Sequence, residues 1–112
     1  AGGWEGMNGA EELQAIETLL RDFAEDKQRA TSARRDLEEL RAEASWMQRE
    51  LLTFAPSSPE AEEARARLRA VEARVGGAET KAKELAGARE RQMPIIKSLS
   101  ARILMLRRGD GP

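Results

Sequence analysis

Residues 55–60 read APSSPE, and this short stretch decides the fold because everything on either side of it has helical character. Pro56 disfavours helix at Ala55, so a helix arriving from the N-terminal side must stop before it. Ser58 is a good N-cap for a new helix, Pro59 suits the first helical position where its missing N–H costs nothing, and Glu60 meets the positive end of the helix dipole. The stretch is therefore expected to be a tight turn between two helices.

Moving outward from the turn, apolar residues recur every three or four positions in both directions. Toward the C-terminus they are Ala61, Ala64, Leu68, Val71, Val75, Ala78, Ala82 and Leu85; after Arg89 and Gln92 they resume as Ile96, Leu99, Ile103 and Leu106. Toward the N-terminus they are Phe54, Leu51, Met47, Ala44, Leu40, Leu37, Ala33 and Ala30; after Asp26 they resume as Phe23, Leu19 and Ile16. Such sustained heptads mark the seam of a coiled coil. If the chain doubles back at the turn, facing residues have numbers of constant sum: Phe54 meets Ala61, Met47 meets Leu68, Leu40 meets Val75, and Leu19 meets Ile96. In that register the one polar seam residue of the first helix, Asp26, faces Arg89. A lone charge in a seam costs several kcal/mol, whereas a paired one is roughly neutral and penalises slipped alignments. Asp26 and Arg89 are thus the candidate register pair, with Gln92 close enough to reach the same carboxylate.

The expected fold is all-α: an elongated antiparallel two-helix coiled-coil hairpin. Its parts are a Gly-rich tail at 1–9, a helix at 10–54, a turn at 55–59, a helix at 60–108 and a tail at 109–112. Each helix runs about 45 residues, or about 65–70 Å. Gly76 and Gly77 lie side by side in the second helix, where each glycine costs about 1 kcal/mol relative to alanine. A break there, with a second at Ala30–Ala33, would give a compact three- or four-helix bundle of the spectrin-repeat kind. The uninterrupted seam favours the hairpin.

Composition narrows the function. The 112 residues include 35% charged and 4% aromatic side chains, a balance typical of long helices, and the formal net charge is −1. There is no His, Cys or Tyr, which removes the usual general base, thiol nucleophile and soft metal ligands. No enzymatic activity, cofactor or small-molecule substrate is expected. The charge gives no overall field for nucleic acid, and no apolar run approaches the ~20 residues of a membrane span. The stretch Arg102–Arg108 mixes apolar and basic residues that suit an anionic membrane surface, but basic residues are also ordinary at a helix C-terminus, so a membrane role is not favoured. The expected setting is the cytoplasm, as a piece of a larger protein.

A two-helix seam needs only a narrow apolar stripe, yet the open end of the hairpin has more. Leu13 and Leu20 on the first helix, and Met93, Ile95, Leu104 and Met105 on the second, lie beside the seam. One reading has the N-terminal tail fold over them through Trp4 and Met7. The favoured reading joins two hairpins by their open ends into a central four-helix bundle, with Leu13, Leu20, Ile95, Ile96, Leu104 and Met105 at the dimer contact. Pro94 removes one backbone hydrogen bond and would bend the helix where such a bundle begins. The function expected is homodimerisation and protein–protein interaction within a scaffold, cytoskeletal or junctional protein. The alternative is an effector module for a Rho- or Rab-type small GTPase or a trafficking partner, anchored on Trp46 and Leu52 near the turn.

Overall fold

The capping residues expected at the turn are in place, and each closes a backbone group that a helix end leaves open. In the computed structural model, which describes residues 8–109, helix α1 spans Gly9–Leu51 and helix α2 spans Pro59–Arg107. Ser58 accepts from the amide of Ala61 at 3.1 Å through its hydroxyl and from that of Glu62 at 3.1 Å through its carbonyl. The Ser58 hydroxyl also donates to the Ala55 carbonyl at 2.7 Å, and Arg65 donates to the Pro56 carbonyl at 3.1 Å, so the turn is tied at both ends.

Helix α1 stops at Leu51, three residues before the expected Phe54. Its last carbonyls take short-range partners instead: the amides of Thr53 and Phe54 donate to Glu50 and Leu51 at 2.9 and 3.2 Å, and the Thr53 hydroxyl donates to Glu50 at 2.6 Å. These closures tighten the final turn ahead of Pro56. At the other end α1 begins on Asn8, whose side-chain oxygen accepts from the Glu11 amide at 2.8 Å while its amide nitrogen donates to the Glu11 carboxylate at 3.2 Å. This is a reciprocal capping arrangement with Asn as the cap.

Helix α2 runs without interruption through Gly76 and Gly77, and α1 through Ala30–Ala33. The protein is a two-helix hairpin, and the compact bundle alternative is excluded. A β-carbon built at either Gly76 or Gly77 would meet nothing within 4 Å. Pro94 is carried inside α2. Residues 1–7 and 110–112, including Trp4 and Met7 of the suggested cap, lie outside the described residues.

Two contact units divide the helices, one of residues 29–86 around the turn and one formed by residues before 29 together with those from 87 onward. In the turn unit Ala44, Leu68 and Val71 are buried together, with Met47, Leu51 and Val75 packed on them. Ala44 with Val71 and Met47 with Leu68 are pairs that the constant-sum register sets face to face. Ala33, Leu37 and Ala61 are also buried, and every other predicted seam position of this unit is at least partly covered. An exposed ion pair, Arg41 to Glu79 at 3.1 Å, flanks the seam.

In the open-end unit Ile16 and Ile103 are buried, while Phe23, Asp26, Arg89, Gln92, Ile96, Leu99 and Leu106 are half-buried. Leu19, expected in the seam, is 37% exposed, whereas its neighbour Leu20 is half-buried. Two helices enclose a line, not a volume. Adjacent leucines that straddle that line each keep one side open.

Candidate interaction surface

In the open-end unit the polar seam residues Arg89 and Gln92 make hydrogen bonds across to the first helix. The Gln92 amide nitrogen donates to the Asp26 carboxylate at 2.8 Å, and Arg89 donates to the Phe23 carbonyl at 3.3 Å. A heptad pattern fixes which residues share a level. Side-chain length then decides which groups touch, and the long guanidinium reaches past the carboxylate's level to the backbone. The second amide atom of Gln92, its Oε1, is buried without a hydrogen-bond partner.

A second polar contact closes the same unit. Arg102 donates to both carboxylate oxygens of Glu12, at 2.6 and 3.0 Å, in a half-sheltered fork. Parallel bonds from a planar guanidinium to a carboxylate are among the strong hydrogen bonds of proteins. The hydrogen bond from Arg102, aided by its charge and opposed by partial desolvation, holds the Glu12 carboxyl below its ordinary value of 4.5. The same bond raises Arg102. Arg107 reaches Glu17 at 3.5 Å on a more exposed side. The sequence held the signal for both pairs, since opposite charges recur beside Ile16 and Ile103, but nothing in the heptad singles them out from the other charged residues.

These ion pairs also orient the apolar side chains left open. On α2, residues 93, 97, 100, 104 and 107 are spaced by four and three, as are 91, 95, 98, 102 and 105, which makes two stripes on opposite flanks of the seam. The Glu17–Arg107 bridge sets the α1 stripe of Leu13, Glu17 and Leu20 beside the first. The Glu12–Arg102 fork sets Leu19, one heptad after Glu12, beside the second. Leu13 and Leu20 thus share a flank with Met93 and Leu104, whereas Leu19 shares the other with Ile95 and Met105.

Of the six residues expected at a dimer contact, Ile96 lies half-buried in the seam and Leu13 and Leu20 are half-buried at its edge. Ile95, Leu104 and Met105 are exposed by 50, 60 and 38%. Met93 and Leu19 are similarly open at 38 and 37%. At the turn end, Trp46 is 57% exposed and Leu52 is 84% exposed. Trp46 lines a shallow groove of about 360 Å³ together with Met47, Phe54 and Ala64. Leu52 is not among the residues that line it.

Among the described residues no group of carboxylates is arranged to hold a metal ion, and no helix is long and apolar enough to cross a membrane. Compared with protein-family models, with curated proteins and with solved structures, the chain matches none.

Proposed function

We propose that the hairpin is a non-enzymatic assembly module that homodimerises through its open end and so joins or spaces the other parts of a scaffold, cytoskeletal or junctional protein. The observation that carries this reading is the exposure of large apolar side chains. Of the seven that lie exposed among the described residues, five (Leu19, Met93, Ile95, Leu104 and Met105) belong to the open-end unit, whose buried described residues are Ile16 and Ile103. Patches of this kind on an otherwise charged surface mark association sites. A second hairpin packed on one flank would enclose four helices around a common core, and side chains at the edge of a two-helix seam would become interior. A two-fold contact places the same residues on both sides, so apolar stripes without a required charge partner suit it.

The experiment is sedimentation equilibrium of the chain across a range of concentrations. Twice the monomer mass is expected, with dissociation on dilution, and a monomer at every concentration removes the proposal. Ile95→Glu together with Leu104→Glu places a carboxylate on each flank and is expected to give monomers of unchanged helicity. The single variants assign the contact: Leu104→Glu dissociates a dimer built on the Leu13–Leu20 flank, and Ile95→Glu one built on the Leu19 flank. An oligomer that survives the double variant shows that the contact is elsewhere.

A further inference from the structure

The turn unit carries a surface with a different chemistry. Its groove has an apolar floor of Trp46, Met47, Phe54 and Ala64, and a rim of carboxylates contributed by both helices, Glu43 and Glu50 from α1 and Glu60 and Glu63 from α2. Arg67 is the basic residue in the lining, and it is hydrogen-bonded to Glu63 one turn before it. Glu43, Glu50 and Glu60 therefore face the groove with no cation among its lining residues left to offset them. With a formal net charge of only −1 over the chain, the potential at this site is set by that local rim.

We infer that this groove docks a basic amphipathic helix of a partner protein. One apolar residue of the partner rests on the Trp46 and Phe54 floor, and lysine or arginine side chains on either side reach Glu43, Glu50 and Glu60. The size fits side chains, not a whole ligand, because about 360 Å³ lies near the lower end of the roughly 300–1,000 Å³ of small-molecule sites. The α1 lining runs from Glu43 to Glu50, about two helical turns or ~10 Å, which matches one face of a short helix laid in the groove. A cation near the Trp46 ring gains from the ring's negative face as well as from the carboxylates. The acidic rim disfavours nucleic acid and anionic lipid. A second copy of this chain is a poor occupant, because the basic residues of its apolar C-terminal stretch already have interactions of their own, Arg102 with Glu12 and Arg107 with Glu17, and Arg108 as well.

The site shares no residue with the open-end stripes and does not rest on the assembly proposal. Its test uses the full chain in a Trp4→Phe background, so that Trp46 alone reports. The probe is a blocked helical peptide with one leucine face flanked by lysines, compared with the same peptide carrying glutamine or glutamate in place of lysine. The lysine peptide is expected to saturate a change in Trp46 emission. Its affinity should fall at least tenfold in Glu43→Gln/Glu60→Gln, fall with added salt, and remain unchanged in Glu38→Gln/Glu39→Gln, which removes equal charge from α1 elsewhere. Calorimetry with Trp46→Ala should show a comparable loss, and far-UV circular dichroism should show every variant equally helical. Glu50→Gln supplies a single-site check should the double variant lose helicity. The monomeric Ile95→Glu/Leu104→Glu variant should bind the peptide as wild type does. No saturable response to the lysine peptide, equal affinity for the glutamine peptide, or equal loss in both double variants overturns the inference.

Discussion

Replacing Gly76 and Gly77 by alanine should make the protein more stable. Both residues lie inside α2, and the only positive φ among the described residues is at Gly109. A methyl group at either position points into open space, with nothing within 4 Å. The hydrogen bond from the Thr80 hydroxyl to the Gly76 carbonyl, 3.2 Å, uses a backbone atom and survives the change. Each substitution therefore removes unfolded-state freedom without a steric penalty, stabilising by about 0.4–1 kcal/mol, and the pair by about 1–2 kcal/mol. For a chain of this size about 1 kcal/mol moves the thermal midpoint by ~4–8 °C, so the double variant should melt ~5–10 °C higher. The assay is thermal unfolding followed by circular dichroism at 222 nm, at fixed protein concentration so that association does not shift the midpoint. Gly87→Ala should gain less, since its β-carbon would sit 3.4 Å from the flexible Arg91 guanidinium, which must give way. A lower midpoint or lost helicity in the double variant would refute the reasoning, because a glycine pair that turns the chain cannot accept alanine. The continuous α2 would then be wrong at its centre.

Ile16→Ala, at a residue 1% exposed, should destabilise by about 2–3 kcal/mol, while Leu52→Ala, 84% exposed, should change stability by less than about 0.5 kcal/mol; urea unfolding of the two variants checks the contrast. Glu12→Gln should weaken the hairpin at neutral pH and flatten its acid limb. The folded Glu12 carboxyl sits below 4.5, so its contribution is complete above that value and disappears as pH falls through the folded pKa; a wild-type acid limb that persists unchanged in the variant contradicts this. Pro94→Ala restores a donor to the Glu90 carbonyl and should stabilise α2 by about 1–3 kcal/mol, and a lower midpoint would mean that the surrounding residues require the proline.

The hairpin was legible because its signals are redundant. Ser58, Pro59 and Glu60 mark one helix start in three independent ways, and the facing stripes then agree with each other along their whole length. Asn8 was not legible as a cap, since it sits in a glycine-rich run where its partner Glu11 looks like one acidic residue among several. The end of α1 was placed too late because Phe54 continues the apolar spacing after the backbone has left the helix at Leu51; periodicity reports burial, and Phe54 is indeed half-buried. At the polar layer the heptad marks Asp26, Arg89 and Gln92 as seam residues without assigning their partners. Asp26, Arg89 and Gln92 differ in length, so which donor meets which acceptor depends on rotamers that a heptad does not encode. The groove at Trp46 was visible only as an aromatic residue beside the seam. Its acidic rim comes from two helices far apart in sequence, and only folding brings Glu43 and Glu60 to one surface.

The distribution of apolar volume along the hairpin sets its physical problem. In the turn unit three of the six buried residues are alanines, Ala33, Ala44 and Ala61, so the helices gain close approach while each layer removes little area from water. In the open-end unit the side chains are large, Phe23, Ile95, Ile96, Leu99, Leu104 and Leu106 among them, yet among the described residues only Ile16 and Ile103 are buried. Large residues are thus concentrated where two helices cannot enclose them, and small ones where two helices suffice. Swapping these compositions would favour a self-sufficient hairpin. The arrangement present favours one whose open end gains most of its burial from a further pair of helices, and the Glu12–Arg102 fork then holds the two strands of that end together while their flanks stay available. On this argument the stability of the chain should rise with its concentration, and a midpoint that stays constant over a hundredfold dilution would show that the exposed leucines and isoleucines contribute nothing to the native state.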